Sequence, residues 1–250
     1  MRVVFMSCTP DLETNIAIAA RICYSNKTLE QIKIEMLDDE NKRNAIERII
    51  SSGHQSPLEH GSFTFYIENV SRALLAQITR HRIASFSVRS QRYCDMSKDS
   101  LDNYYHPKTS PDNVINELDV AYNEELDHYK KLIELGCKKE IARMVLPNGA
   151  PTNLVMTMNC REIYHFCGLR CCNRAQAEIR AVANEIMKIC YHEAPIVFSK
   201  LGPHCTQLGY CPEGKMSCGM YPSLEDLKDK AFESDPSLKN KYMSAFAKGY

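Results

Sequence analysis

Gly61-Ser62-Phe63-Thr64-Phe65-Tyr66-Ile67-Glu68-Asn69-Val70-Ser71-Arg72-Ala73-Leu74-Leu75-Ala76-Gln77-Ile78-Thr79-Arg80-His81-Arg82 changes its period halfway along. Up to Ile67, Phe63, Phe65 and Ile67 alternate with Ser62, Thr64 and Tyr66, the pattern of a strand with one buried face. From Val70 the spacing turns helical, with Leu74, Leu75 and Ile78 on the apolar side. Gln77 and Arg80, three residues apart, lie on neighbouring parts of one helical face. Arg80-His81-Arg82 then falls at the helix C-terminus, where cations complement the macrodipole.

That dipole accounts for one basic residue and leaves the others without a role. From Arg80 to Tyr93 the chain carries Arg80, Arg82, Arg89 and Arg92, with His81 and three serines, and no carboxylate occurs between Asn69 and Cys94. Lys plus Arg and Asp plus Glu each number 31, so the net charge is zero. An acid-free basic window in a neutral chain predicts a local anion site, with hydroxyls and amides reading the neutral parts of the same ligand. A neutral total argues against bulk binding to nucleic acid or to a membrane surface. Beyond the helix this window reads as an irregular, serine-bearing segment.

The remaining elements follow from pattern. Val3 to Met6 reads as a strand, and helices are expected at about 11–22, 28–37 and 41–51. His54-Gln55-Ser56-Pro57-Leu58-Glu59-His60 has a capping-box spacing, Ser56 with Glu59 and Pro57 at the first helical position. A polar, proline-interrupted excursion spans 94–112. A long amphipathic helix is expected from Asp112 to Leu135, and a shorter one, carrying Arg143, from Lys138 to Leu146. Thr152 to Met158 reads as a strand leading to Asn159-Cys160-Arg161-Glu162, where Asn159 caps a helix and Glu162 closes the box. Arg161 in a first helical turn opposes the dipole unless an anion lies nearby, and His165 sits one turn along the same face. Arg170 closes that helix, and another follows at about 174–191.

With 250 residues and 44% apolar composition, the chain can build a substantial core. No apolar run approaches the ~18 residues of a membrane span, and Met1-Arg2-Val3-Val4-Phe5 does not read as a signal peptide. Its twelve cysteines therefore point to a reducing cytoplasm and free thiols. Beyond Gly202 the composition shifts. Residues 203–250 read as a cysteine-bearing appendage to a main domain at 1–202, with a helix near 223–233. Cys205, Cys211, Cys218 and His204 offer zinc donors, but without a Cys-x2-Cys knuckle the spacing matches structural zinc sites poorly, and no metal is assigned.

Arg80-His81-Arg82-x7-Ser90 resembles the signature of the flavin-dependent thymidylate synthases. His54-x-Ser56-Pro57-x-Glu59-His60, Gln77-x-x-Arg80, Ala142-Arg143-x-x-Leu146-Pro147, Asn159-x-Arg161 and Leu169-Arg170 follow the order of that family's motifs, from the first strand to about residue 200. The resemblance implies an α/β (α+β) fold around a mixed central sheet flanked by helices, and a homotetramer with interfacial active sites. It implies reductive methylation of dUMP to dTMP, with 5,10-methylenetetrahydrofolate as carbon donor and NADPH-reduced FAD as hydride source. Carried over by position, Ser56, Arg80, His81, Arg82, Asn159, Arg161 and His165 would contact FAD. Gln77, Arg80, Ser90, Arg92, Arg143 and Arg170 would surround dUMP. Val88 stands where many members carry an acidic or amide side chain, so its contact to either ligand would come from the backbone. The position of His165 is often an asparagine.

Within that frame Arg170 and Ser90 are the expected catalytic residues. An arginine against the pyrimidine N3 and a carbonyl oxygen stabilises charge developing on the ring. Ser90 lacks an obvious adjacent base beyond His81 or His54, which favours a positioning hydroxyl over a nucleophile. Two rival readings remain open from sequence. One is a nucleic-acid module with residues 80–92 as its patch and 205–218 as a zinc knob. The other is a flavin oxidoreductase without methyl transfer.

Overall fold

The computed structural model describes residues 1–235 together with 237 and 238. The chain runs β1 (Arg2–Cys8), α1 (Leu12–Ile22), α2 (Leu29–Glu35), α3 (Asp39–Ser51), a short 3-10 turn (Ser56–His60), β2 (Ser62–Ser71), α4 (Arg72–Ile78) and β3 (Ala84–Val88). Two 3-10 turns within 96–103 precede α5 (Asp112–Glu134) and α6 (Lys139–Ala142), and then come β4 (Pro151–Asn159), α7 (Cys160–Arg170), α8 (Ala177–Glu193), α9 (His204–Leu208) and α10 (Leu224–Ser234). Part of the tail expected at 203–250 therefore lies outside the described residues.

The four strands form one sheet in the order β1-β2-β4-β3. All three pairings between neighbours are antiparallel, which corrects the expectation of a mixed sheet. The reason lies in one connection. Ser62 pairs with Asn159 and Ala84 with Met158, so β2 and β3 start at the same end and run the same way. Helix α4 carries the chain back between them, and β4 fills the gap in the opposite direction, giving a split β-α-β unit. A parallel relation exists, but not between neighbours.

The alternation read from sequence places Phe63, Phe65 and Ile67 on β2 and Leu154, Met156 and Met158 on β4 in one core, with Ile16 of α1, Ile163 and Phe166 of α7 and Ile186 of α8. Each fully buried aromatic or branched side chain contributes about 1.5–3 kcal/mol of transfer free energy, so this face holds the sheet to its helices. Tyr129 of α5 is buried with Met96 and Ala142 in a smaller cluster under the 94–112 excursion.

Two stretches differ from the expected pattern. Ala84 to Val88 is a strand, with Ala84, Phe86 and Val88 turned toward the core and Ser85 and Ser87 exposed. A period of two was present there, but the edge of β4 was needed to select it. Arg89 at its end is tied to Asp99 at 2.8 Å, so this arginine pins the excursion instead of serving a ligand. Ser56 does not act as a cap: Gln55 precedes the 3-10 turn, and no side chain caps it.

Candidate active site

Two strand-to-helix junctions build the site. At the first, β2 carries a bulge between Ile67 and Val70, with Asn69 in the left-handed region at φ 53°, a conformation that asparagine tolerates. Asn153 Oδ1 accepts from Asn69 N at 2.9 Å and fixes the bend. Ser71 then caps α4 through Leu74 N at 2.9 Å, while Glu178, buried on α8, accepts from Ser71 N at 2.7 Å. Seven helical residues rise about 10 Å. That return brings Arg80-His81-Arg82 back to the end of the sheet where β4 finishes.

At that same end Asn159 caps α7, accepting from Glu162 N at 2.8 Å. Arg161, Glu162 and His165 therefore face the basic tripeptide. Arg80, His81, Arg82, Asn159, Arg161, Glu162 and His165 line one cleft of about 590 Å³, with Gln55, Glu59, Ile83, Tyr164, His204 and Gln207 completing its walls.

His81 is buried at the floor, 3% exposed. Arg170 Nε donates to His81 Nε2 at 3.1 Å, so the ring proton sits on Nδ1 and is donated to Glu162 Oε1 at 2.8 Å. Burial is the largest influence on the ring and pushes its pKa down, opposed by the hydrogen bond to Glu162 and reinforced by Arg170. His81 is thus a neutral imidazole with its tautomer fixed from both sides. Glu162 Oε1 also meets His165 Nδ1 at 3.2 Å. His81, Glu162 and His165 form the one group of three metal-ligand types that converges among the described residues. Their contacts are hydrogen bonds already satisfied by protons, in a cleft walled by arginines. The group needs no ion.

The cations are arranged differently. Arg80 and Arg82 are exposed, and neither has an acidic partner among the described residues. Arg161 pairs with Glu59 across the mouth of the cleft, both about half exposed. Burial disfavours the charge of Arg170, and Arg80 nearby adds to this, a tension that a bound anion relieves.

Not every expected residue reaches the cleft. Ser56 lines an adjoining depression that shares Gln55 and Arg161 with it. Gln77 bonds to its own helix through Ala73 O at 3.3 Å, and its carbonyl accepts from Arg170 Nη2 at 3.2 Å. Val88 ends β3, and Ser90 Oγ accepts from Arg92 N at 3.2 Å in the following turn. Arg92 reaches the Glu140 carboxylate at 3.3 Å, and Arg143 Nε donates to the Glu140 carbonyl at 3.3 Å. Of the residues expected at FAD all but Ser56 and Val88 line the cleft, and Ser56 approaches from the side. Apart from Arg80, those expected at dUMP stand away from the cleft, and Arg170 alone touches both groups.

Sequence reasoning missed Glu59, Glu162, His204 and Gln207. An acid at the third helical position after Asn159 reads as a capping-box partner, which concealed Glu162, whose side chain instead reaches His81 and His165. Gln207 enters through the tail, donating to Tyr164 O at 2.9 Å and Gly202 O at 2.7 Å. No local signal marks it.

A family model described as thymidylate synthase complementing protein matches residues 4–196. The flavin-dependent thymidylate synthase of Geobacter sulfurreducens is 43% identical over 233 residues, covering 91% of this chain and 97% of the relative. That of Clostridium tetani is 38% identical over 244 residues, covering 91% and 96% respectively. Among solved structures, the UMP/dUMP methylase PolB from Streptomyces cacaoi, bound with 5-Br dUMP, matches with a TM-score of 0.68 at 24% identity. That match covers 79% of this chain and 93% of the other, and it shows a shared fold. The family model spans most of the chain, and the relatives align nearly end to end: this chain belongs to the flavin-dependent thymidylate synthase family.

Proposed function

We propose that the cleft binds the FAD pyrophosphate and that the chain methylates dUMP to dTMP. The observation that carries this reading is the pair of exposed, acid-free arginines, Arg80 and Arg82, facing Arg161 at the start of α7. Arginine forks bind phosphate oxygens through parallel charge-assisted bonds, and the N-terminus of α7 adds its dipole. The Arg161–Glu59 pair is exposed and therefore exchanges readily for a phosphate contact. The donor set fits the cofactor.

When bound, the flavin supplies the hydride. The chain's own residues bind and orient. His81, neutral and locked between Glu162 and Arg170, gives the cleft a rigid floor. Arg170 carries positive charge from that floor toward Gln77, where it would stabilise negative charge developing on the uracil ring. NADPH as reductant and 5,10-methylenetetrahydrofolate as carbon donor belong to the same reading. So does a cytoplasmic setting, in keeping with twelve unpaired thiols.

A homotetramer with interfacial active sites would unite what one chain keeps apart. Ser90, Arg92 and Arg143 of one chain, set against the cleft of another, would complete the nucleotide site. The main domain at 1–202 would carry it and the tail would cover one wall.

The test is an absorbance spectrum of the purified protein, followed by NADPH oxidation with and without dUMP and an assay for dTMP. A yellow protein whose NADPH consumption depends on dUMP, yielding dTMP only with methylenetetrahydrofolate, is the expected result. A colourless protein that cannot be reconstituted with FAD overturns the reading.

A further inference from the structure

The C-terminal end of α7 borders a second cavity of about 150 Å³, and half of its lining residues carry sulfur. Cys171, Cys172, Cys205, Cys211 and Cys218 line it, with Met216 and Met220. Five thiols from two distant parts of the sequence meet at one small space. Cys171 is otherwise engaged, buried at the C-cap of α7 as part of the main core. The other four face the cavity from separate elements. Cys172 lies just past α7, Cys205 is in α9, Cys211 follows the Gly209 turn, and Cys218 follows the 3-10 turn at Gly214–Met216.

The tail segment offers little else to hold it. Between 203 and 223, Cys211 is the one buried apolar residue, and positive φ at Gly209, Gly214 and Gly219 folds the chain into tight turns around it. A cysteine-dense, loop-rich unit without its own core is the kind that a structural metal staples. We propose that Cys172, Cys205, Cys211 and Cys218 form a tetrathiolate zinc site fixing residues 203–223 to the end of α7. In this structure the sulfurs line the cavity without converging to within 4.8 Å as a trio. Tetrahedral Zn–S bonds of about 2.3 Å place sulfurs roughly 3.8 Å apart, so binding draws the loop side chains inward by rotation. The four thiols release their protons to solvent as thiolates coordinate the ion, leaving a complex of charge minus two.

The test uses the full chain and needs no catalytic assay, so its failure is separable from failure of the synthase reading. Protein prepared without chelator is expected to carry about one zinc per chain. After reduction and metal stripping, Co2+ should give tetrahedral d–d bands with a sulfur-to-cobalt charge-transfer band. Cys211→Ser and Cys218→Ser should each abolish uptake against a competing chelator, while Cys23→Ser, on the exposed end of α1, should retain it. Because a serine variant can fail to fold, the cobalt spectrum of the unaltered chain decides independently. No uptake after reduction, a cobalt spectrum without the sulfur band, or undiminished uptake by folded Cys211→Ser protein overturns the proposal.

Discussion

The arginine cleft and the thiol-lined cavity share helix α7 yet are opposite in character. The cleft uses Arg161 to His165 and is cationic, open and closed below by hydrogen bonds. The cavity uses Gly168 to Cys172 and is apolar, small and lined by soft donors. His204 borders both. Helix polarity explains part of the difference. The N-terminus of α7 presents amide dipoles to an anion, whereas its C-terminal turn favours Arg170 and leaves Cys172 projecting into the tail. On our two proposals, one helix organises two kinds of ligand chemistry, a hard anion at its start and a thiophilic cation at its end.

The largest expected effect comes from Arg170, which links the cleft floor to the residues expected at dUMP. Arg170→Ala should lower turnover by about 10²–10³-fold. Unchanged dUMP affinity together with unchanged turnover would remove it from the site. The wall between the two regions should be next. A Cβ on Gly168 would lie 2.3 Å from His204 Cδ2, and Gly168→Ala should therefore destabilise the docked tail by about 1–3 kcal/mol. Urea unfolding monitored by proteolysis after 203 checks this. A neutral result would mean that His204 has room to move and that the regions are not coupled through it.

Arg161→Ala separates binding from stability. FAD affinity should fall about tenfold, since a charge-assisted phosphate contact is lost, while stability should stay within ~0.5 kcal/mol because the Glu59 pair is exposed. The reverse pattern would make Arg161 structural. The smallest effect is a pH dependence. His81 has its pKa lowered from 6.5 by burial, so its contribution to stability is fully present above 6.5. As pH falls below that value the unfolded chain takes up a proton that the folded ring resists, and stability is lost through the folded pKa. His204, also lowered by burial, adds in the same direction. NMR titration placing His81 at or above 6.5 would break the picture of a neutral floor.

Much of this was legible in residue patterns. The alternation of Phe63, Phe65 and Ile67, the switch of period at Val70 and the Asn159 cap fixed three of the elements that frame the cleft. Arg161 in a first helical turn raised the expectation of an anion, and the structure places it on the cleft wall, paired with Glu59. Other residues misled because one local pattern fits two outcomes. Ser56 had the spacing of a cap and is none. Glu162 read as a box partner and instead orients His81. Arg89 counted toward the basic window, but Asp99 claims it.

The sequence by itself therefore determined the periodicities, the local absence of acids and the motif order that marks the family. Those depend on neighbours a few residues apart, where helix and strand geometry dictates which side chains share a face. Only the tertiary structure decided that β4 separates β2 from β3, that His81 is neutral, and that Cys172 lines one cavity with Cys205, Cys211 and Cys218. Each depends on groups about thirty to a hundred residues apart in the chain. Their meeting is set by sheet register, burial and helix docking, which no local spacing encodes.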